Sequence, residues 1–158
     1  MKSFLFVAIL SVLPYSLIAA PTSSEVVQSF MQAYNKHDVV GMMSHTNEDL
    51  TWMHITGKKI VIETSTKAEF GAAMTDYFES LEGVNATIVK MIESGSYVST
   101  VEKVTWDNDG EELSQCSIGT FRVKTGKIAE FWYFPAHACD ELNLSPEPEV
   151  GVLKQTQY

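Results

Sequence analysis

Apolar positions along this chain follow two regimes in succession. The first half repeats at helical spacing, and the second alternates. From Glu25 to Asn35, residues Val26, Val27, Phe30, Met31 and Tyr34 predict an amphipathic helix, with Ser23 or Ser24 available as its cap. Val39 to His45 predicts a short second helix capped by Asp38. Leu50 to Ile55 reads as a strand and Ile60 to Glu63 as a second extended piece. Thr66-Lys67-Ala68-Glu69 resembles a capping box, and the helix behind it places Phe70, Met74, Tyr77, Phe78 and Leu81 on one face before Gly83 ends it. Beyond that point the pattern is all strand: Thr87 to Ser94, Tyr97 to Trp106, Glu112 to Lys124 and Lys127 to Phe134. Gly-Ser, Asn-Asp-Gly and Thr-Gly-Lys turns separate them.

The last strand pair says most about architecture. Between Leu113 and Ala136 two apolar-rich runs flank Lys124-Thr125-Gly126-Lys127, a hairpin signature. Bulky apolar residues occupy both alternating faces. Such a sheet must be covered on both sides: by helices or a pocket on one, and by a second layer or second subunit on the other.

Composition narrows the setting. Met1-Lys2, the apolar run from Phe4 to Leu17 and the small residues Ala19 and Ala20 form a secretory signal pattern, too short for a comfortable membrane span. The expected organisation is a signal peptide over 1–19, a domain over 20–136, and a loose tail over 137–158 rich in Pro, Glu and Gln. The protein is then secreted or periplasmic, with no membrane contact after cleavage. A net charge of −9 argues against nucleic acid and anionic membrane partners. Two cysteines, Cys116 and Cys139, can bridge in an oxidising compartment; two buried thiols are the alternative. No zinc-ligand spacing, phosphate loop or nucleophile elbow occurs, and His137 beside Cys139 and Asp140 is a weak ligand set, so no metal or cofactor is expected.

Three pieces carry a family resemblance: Tyr34-Asn35-Lys36-His37-Asp38 before a short helix, Glu48-Asp49-Leu50-Thr51-Trp52, and Gly126-Lys127-Ile128 before the final strand. With the element order they resemble the SnoaL-like branch of the nuclear-transport-factor-2-like superfamily, which includes polyketide cyclases and ketosteroid isomerases. The resemblance implies an α+β fold: a cone-shaped, curved, mixed but mostly antiparallel sheet packed on about three N-terminal helices. It also implies an apolar pocket and often a dimer across the outer sheet face. It does not imply a reaction, because the superfamily hosts enzymes and non-catalytic modules alike.

Alignment with the isomerase members puts Trp52, His54, Glu102, Val104, Trp106, Ser117, Gly119, Phe121, Phe131 and Tyr133 on the pocket face, with Phe30 and Tyr34 projecting from the first helix. Cys116, Ile118, Trp132 and Phe134 fall outside, and the last three are the expected homodimer contacts. The isomerase base position falls on His54, its tyrosine on Phe30 and its acid on Gly119, so the known oxyanion donors are missing. His54 and Glu102 remain as an acid–base pair. The alternatives are a satisfied buried polar pair, or a Glu102 that faces solvent. The aromatic set is either a pocket for a small apolar organic ligand or plain core. The sequence leaves open whether the protein is a cofactor-free isomerase, lyase or hydrolase, or a non-catalytic carrier or interaction module.

Overall fold

The computed structural model describes residues 20–139; the signal segment and most of the expected tail lie outside them. Three helices precede or interrupt a six-stranded sheet: α1 Ser23–Asn35, α2 Val39–Ser44, β1 Thr46–Thr56, β2 Lys59–Thr64, α3 Lys67–Ser80, β3 Asn85–Ser94, β4 Tyr97–Asn108, β5 Glu111–Lys124 and β6 Lys127–Tyr133. The spatial order is β2-β1-β6-β5-β4-β3. Every neighbouring pair is antiparallel except β1 with β6. The sheet is curved and unclosed, and the fold is α+β as the resemblance implies.

Local chemistry sets the helix boundaries. Thr22, rather than Ser23 or Ser24, caps α1: its Oγ1 accepts from the Glu25 N–H at 3.1 Å, and Glu25 Oε2 accepts from the Thr22 N–H at 2.7 Å. This reciprocal box satisfies two N–H groups the helix cannot. Thr66 caps α3, while the Glu69 carboxylate reaches back one residue further, to the Ser65 N–H at 2.8 Å. β1 begins four residues earlier than the alternation suggests. Thr46 sits opposite Ile128 on β6, so pairing with a distant strand extends it through a polar stretch.

The concave face holds the core. α1 buries Val26, Val27, Phe30, Met31, Ala33 and Tyr34 against it. Phe30 meets Phe70, Phe121 and Phe131 at ring-centroid distances of 6.0, 6.1 and 5.9 Å. The Asn35 side chain ties the end of α1 to the sheet: Nδ2 donates to the Ala86 carbonyl at 2.9 Å, and Oδ1 accepts from the Ala86 N–H at 2.8 Å.

The convex face carries Ile92, Tyr97 and Ile118 in the open, with Trp132 half-buried and edge-on to Tyr97 at 6.5 Å. The Arg122–Glu130 ion pair, at 2.6 Å, lies across the β5–β6 ladder beside them. Past β6 the chain keeps bonding to β5. The Phe134 N–H donates to the Ile118 carbonyl at 2.9 Å, and Cys116 and His137 exchange two bonds of 2.9 Å. The register Gly119↔Tyr133 would place Cys116 opposite Ala136. The extra residue is accommodated around Pro135, which has no N–H to offer. Cys116 and Cys139 are joined in a disulfide, with Cα atoms 5.0 Å apart.

Candidate functional site

Between α1, α3 and the concave face lies a cavity of about 750 Å³. Apolar and aromatic side chains make most of its wall, among them Phe30, Trp52, Phe70, Met74 and Phe131. Its wall also includes the exposed residues Thr56, Gly57 and Phe134 to Ala136, which mark the mouth.

One buried carboxylate stands in this wall. Glu102, from β4, is 1% exposed. Thr100 Oγ1 donates to its Oε1 at 2.5 Å, and the Tyr133 hydroxyl donates to its Oε2 at 3.0 Å. Burial raises its pKa from the ordinary 4.5, and the two donors pull in the opposite direction. Burial, then the neighbouring Glu102 charge, pushes the Tyr133 phenol well above its usual range. A second phenol pair faces the same cavity, with Tyr34 and Tyr77 hydroxyls 3.0 Å apart. Burial raises both, and in Tyr34 the neighbouring Tyr77 adds to the effect.

Gly119 makes the Tyr133–Glu102 bond geometrically possible. Thr100, Gly119 and Tyr133 lie in one row across β4, β5 and β6. A Cβ on Gly119 would come within 2.7 Å of Tyr133 Cε1 and 3.0 Å of Thr100 Oγ1. The missing side chain lets the phenol ring lie over β5 and reach Glu102 on the strand beyond. The position aligned with an isomerase acid therefore holds space rather than a proton.

His54 does not pair with Glu102. Its Nδ1 lies 3.2 Å from Glu63 Oε1 on the adjacent strand β2. Two strands, β6 and β5, separate β1 from β4. Three inter-strand spacings amount to about 14 Å, beyond direct reach. His54 nevertheless lines the same cavity, with its ring 6.3 Å from that of Tyr133.

Of the other residues expected on the pocket face, Phe30, Tyr34, Trp52, Val104, Ser117, Phe131 and Tyr133 line the cavity. Phe121 and Trp106 do not. Phe121 is fully buried against Phe131, ring centroids 5.5 Å apart, and Trp106 packs at the edge of the core. Phe134, expected only on the outer face, borders the mouth because the chain bends there after β6. Tyr77, Glu63, Gln115 and Thr56 in the wall, and Thr100 bonded to Glu102, are the polar members that the sequence reading did not single out. Thr100 was accessible to it, since it lies two residues from Glu102 on the same strand face.

The sequence profile of the SnoaL-like domain matches residues 27–131, and the chain belongs to that family. Solved structures share the fold. A nuclear-transport-factor-2-like protein from Burkholderia thailandensis has TM-score 0.63 and 18% identity, covering 74% of this chain and 92% of its own. An LEH-like epoxide hydrolase from M. tuberculosis has TM-score 0.60 and 15% identity, covering 71% and 80%. A nuclear-transport-factor-2-like protein from Cytophaga hutchinsonii has TM-score 0.56 and 18% identity, covering 71% and 88%. No curated protein matches the chain.

Two outcomes follow from this geometry. Because Glu102 holds its proton more tightly in the folded state than its ordinary 4.5, it contributes full stability below that value. The contribution falls as pH rises through the folded pKa. Glu102→Gln has no proton to lose, so its melting temperature should exceed the wild type's at pH 7–8 and the gap should close near pH 4. The expected difference is on the order of 4 °C per kcal/mol, read by calorimetry across pH. Gly119→Ala should displace Tyr133 and cost about 1–3 kcal/mol in denaturant unfolding. A Gly119→Ala crystal structure with the Tyr133–Glu102 bond intact would contradict the spacing argument.

Proposed function

We propose that this SnoaL-like domain binds a small, mostly apolar organic molecule in its cavity and acts on it as a cofactor-free acid–base enzyme of isomerase, lyase or hydrolase type. The observation that carries this reading is Glu102: a carboxyl group nine-tenths and more buried, in the wall of an otherwise apolar cavity, hydrogen-bonded by Tyr133 and Thr100. A carboxyl whose pKa is raised toward the working pH can both take and return a proton. Tyr133 stands between it and the cavity. Its hydroxyl can take a proton from a bound molecule while passing its own to Glu102, which keeps the charge off the phenol. His54, held by Glu63 near the mouth, is a second proton-transfer group on the same wall.

A non-catalytic carrier is the second reading. It is favoured by the fact that Glu102, Tyr133 and the Tyr34–Tyr77 pair all find partners within the protein, so the cavity needs no ligand to satisfy them. A thermal-shift screen of lipophilic metabolites, with turnover assays on the hits, separates the two. For the enzyme, Glu102→Gln should turn hits over about 10²–10⁴-fold more slowly, compared at saturating concentrations of each. Equal turnover by the variant removes Glu102 from the chemistry. Hits that bind without turnover establish the carrier.

The mature protein is proposed to start at Ala20 or Pro21 outside the cytoplasm; the Cys116–Cys139 disulfide fits an oxidising compartment. Ile118 and Trp132, with Tyr97 and Ile92 beside them, form a convex apolar patch suited to a second copy of the chain, and Phe134, 40% exposed, lies next to it. Light scattering at micromolar concentration should give a dimer, and Trp132→Glu a monomer or aggregate. A wild-type monomer would remove this assembly.

A further inference from the structure

The hydroxyls bonded to Glu102 have spent their protons on it. The Tyr133 proton is spent on Glu102, so the phenolic oxygen turns lone pairs toward the cavity. The Thr100 proton is spent on the same carboxylate. A second carboxylate, Glu63, lines the cavity, matched only by His54. No lysine or arginine lines it among the described residues. The aromatic faces add to this field, because the π-cloud of each ring is its negative side. Trp52 and Phe131 stack with centroids 5.9 Å apart, and Phe131 and Tyr133 meet edge to face at 6.0 Å. Carboxylates and ring faces together, in a cavity with no lysine or arginine in its wall among the described residues, make a predominantly negative site.

That sign selects among small molecules. A carboxylate or phosphate would be buried against Glu102 with nothing to neutralise it, at a cost of several kcal/mol per uncompensated ion. A neutral acceptor could draw on Ser117, Gln115, the unpartnered Trp52 Nε1–H or the Tyr34–Tyr77 pair, but at the Tyr133–Glu102 corner it would face acceptors. An ammonium group meets every condition. It donates to the Tyr133 oxygen, neutralises Glu102 and lies against aromatic faces, while its hydrocarbon body has the apolar wall to cover. On the reading that the cavity binds a small organic molecule, we propose that this molecule is an amphipathic amine, carried protonated, with its nitrogen at the Tyr133–Glu102 corner and its apolar body along Trp52, Phe70 and Phe131.

Three probes of matched shape test this by isothermal titration calorimetry on the disulfide-bonded protein. They are N,N-dimethyl-3-phenylpropylamine (a cation), N,N-dimethyl-3-phenylpropanamide (a neutral acceptor) and 4-phenylbutyrate (an anion). The amine should bind at least about tenfold tighter than the amide, and the anion should not bind. The preference should persist at 0.5 M salt, where attraction to the net charge of −9 is screened out. In Glu102→Gln the amine should fall to within about threefold of the amide, with the amide unchanged. An amide or phenylbutyrate that binds as tightly as the amine overturns the amine assignment and leaves the small-molecule site standing. An amine preference that survives in Glu102→Gln overturns the role of this corner. If none of the three binds, both the assignment and the site reading fall.

Discussion

A curved six-stranded sheet has more concave surface than two helices can fill, and the site exists because of that mismatch. The aromatic cluster of Phe30, Phe70, Phe121 and Phe131 closes one part of the hollow with rings 5.5–6.1 Å apart. Large-to-small changes there leave cavities and cost about 3–5 kcal/mol each, so this part of the fold tolerates little variation. The remaining hollow is left by the same geometry. Its wall is continuous with the core, and Phe30 and Phe131 belong to both. Stability and cavity shape are therefore set by the same side chains.

Within that hollow one polar arrangement dominates. A carboxylate out of water must be protonated, paired or hydrogen-bonded. Glu102 is held by two hydroxyls from strands on either side of the glycine row. A network this enclosed is strong when complete and costly when broken, because each member has little water to fall back on. The Tyr34–Tyr77 pair repeats the pattern from the helical side.

Much of this was legible in the sequence. The period change from helix to strand gave the element order; alternation divided each strand into two faces, and the resemblance to the isomerase members chose the face of Trp52, Glu102, Ser117, Phe131 and Tyr133 as the cavity side. Strand order was the harder part. Nothing local to Thr46–Thr56 says that it lies parallel to β6, so nothing local says that His54 is three strand spacings from Glu102. The partner of Glu102 came instead from Tyr133, through a vacancy at Gly119 that has meaning only once three strands are in register. Phe121 and Trp106 lie on the correct face but away from the cavity, since alternation reports the side of a sheet and not the depth along it. The hairpin made the Cys116–Cys139 bridge possible without deciding it against two thiols, and nothing in the sequence marked the inserted residue that brings the tail to Cys116.

The parallel pairing of β1 with β6 also sets the order in which this chain can become a protein. β1 is made early and its sheet partner last: Thr46 meets Ile128, and His54 meets Tyr133. Until the final strand has left the ribosome, the β1–β2 hairpin has no sheet to join. Contacts this distant in sequence are paid for in loop-closure entropy before they are rewarded. Synthesis alone therefore cannot fold the domain from its N-terminus forward. The whole of the ordered chain must be available at once, and a chain that remains open until its last strand is also one that can still be threaded through a narrow channel.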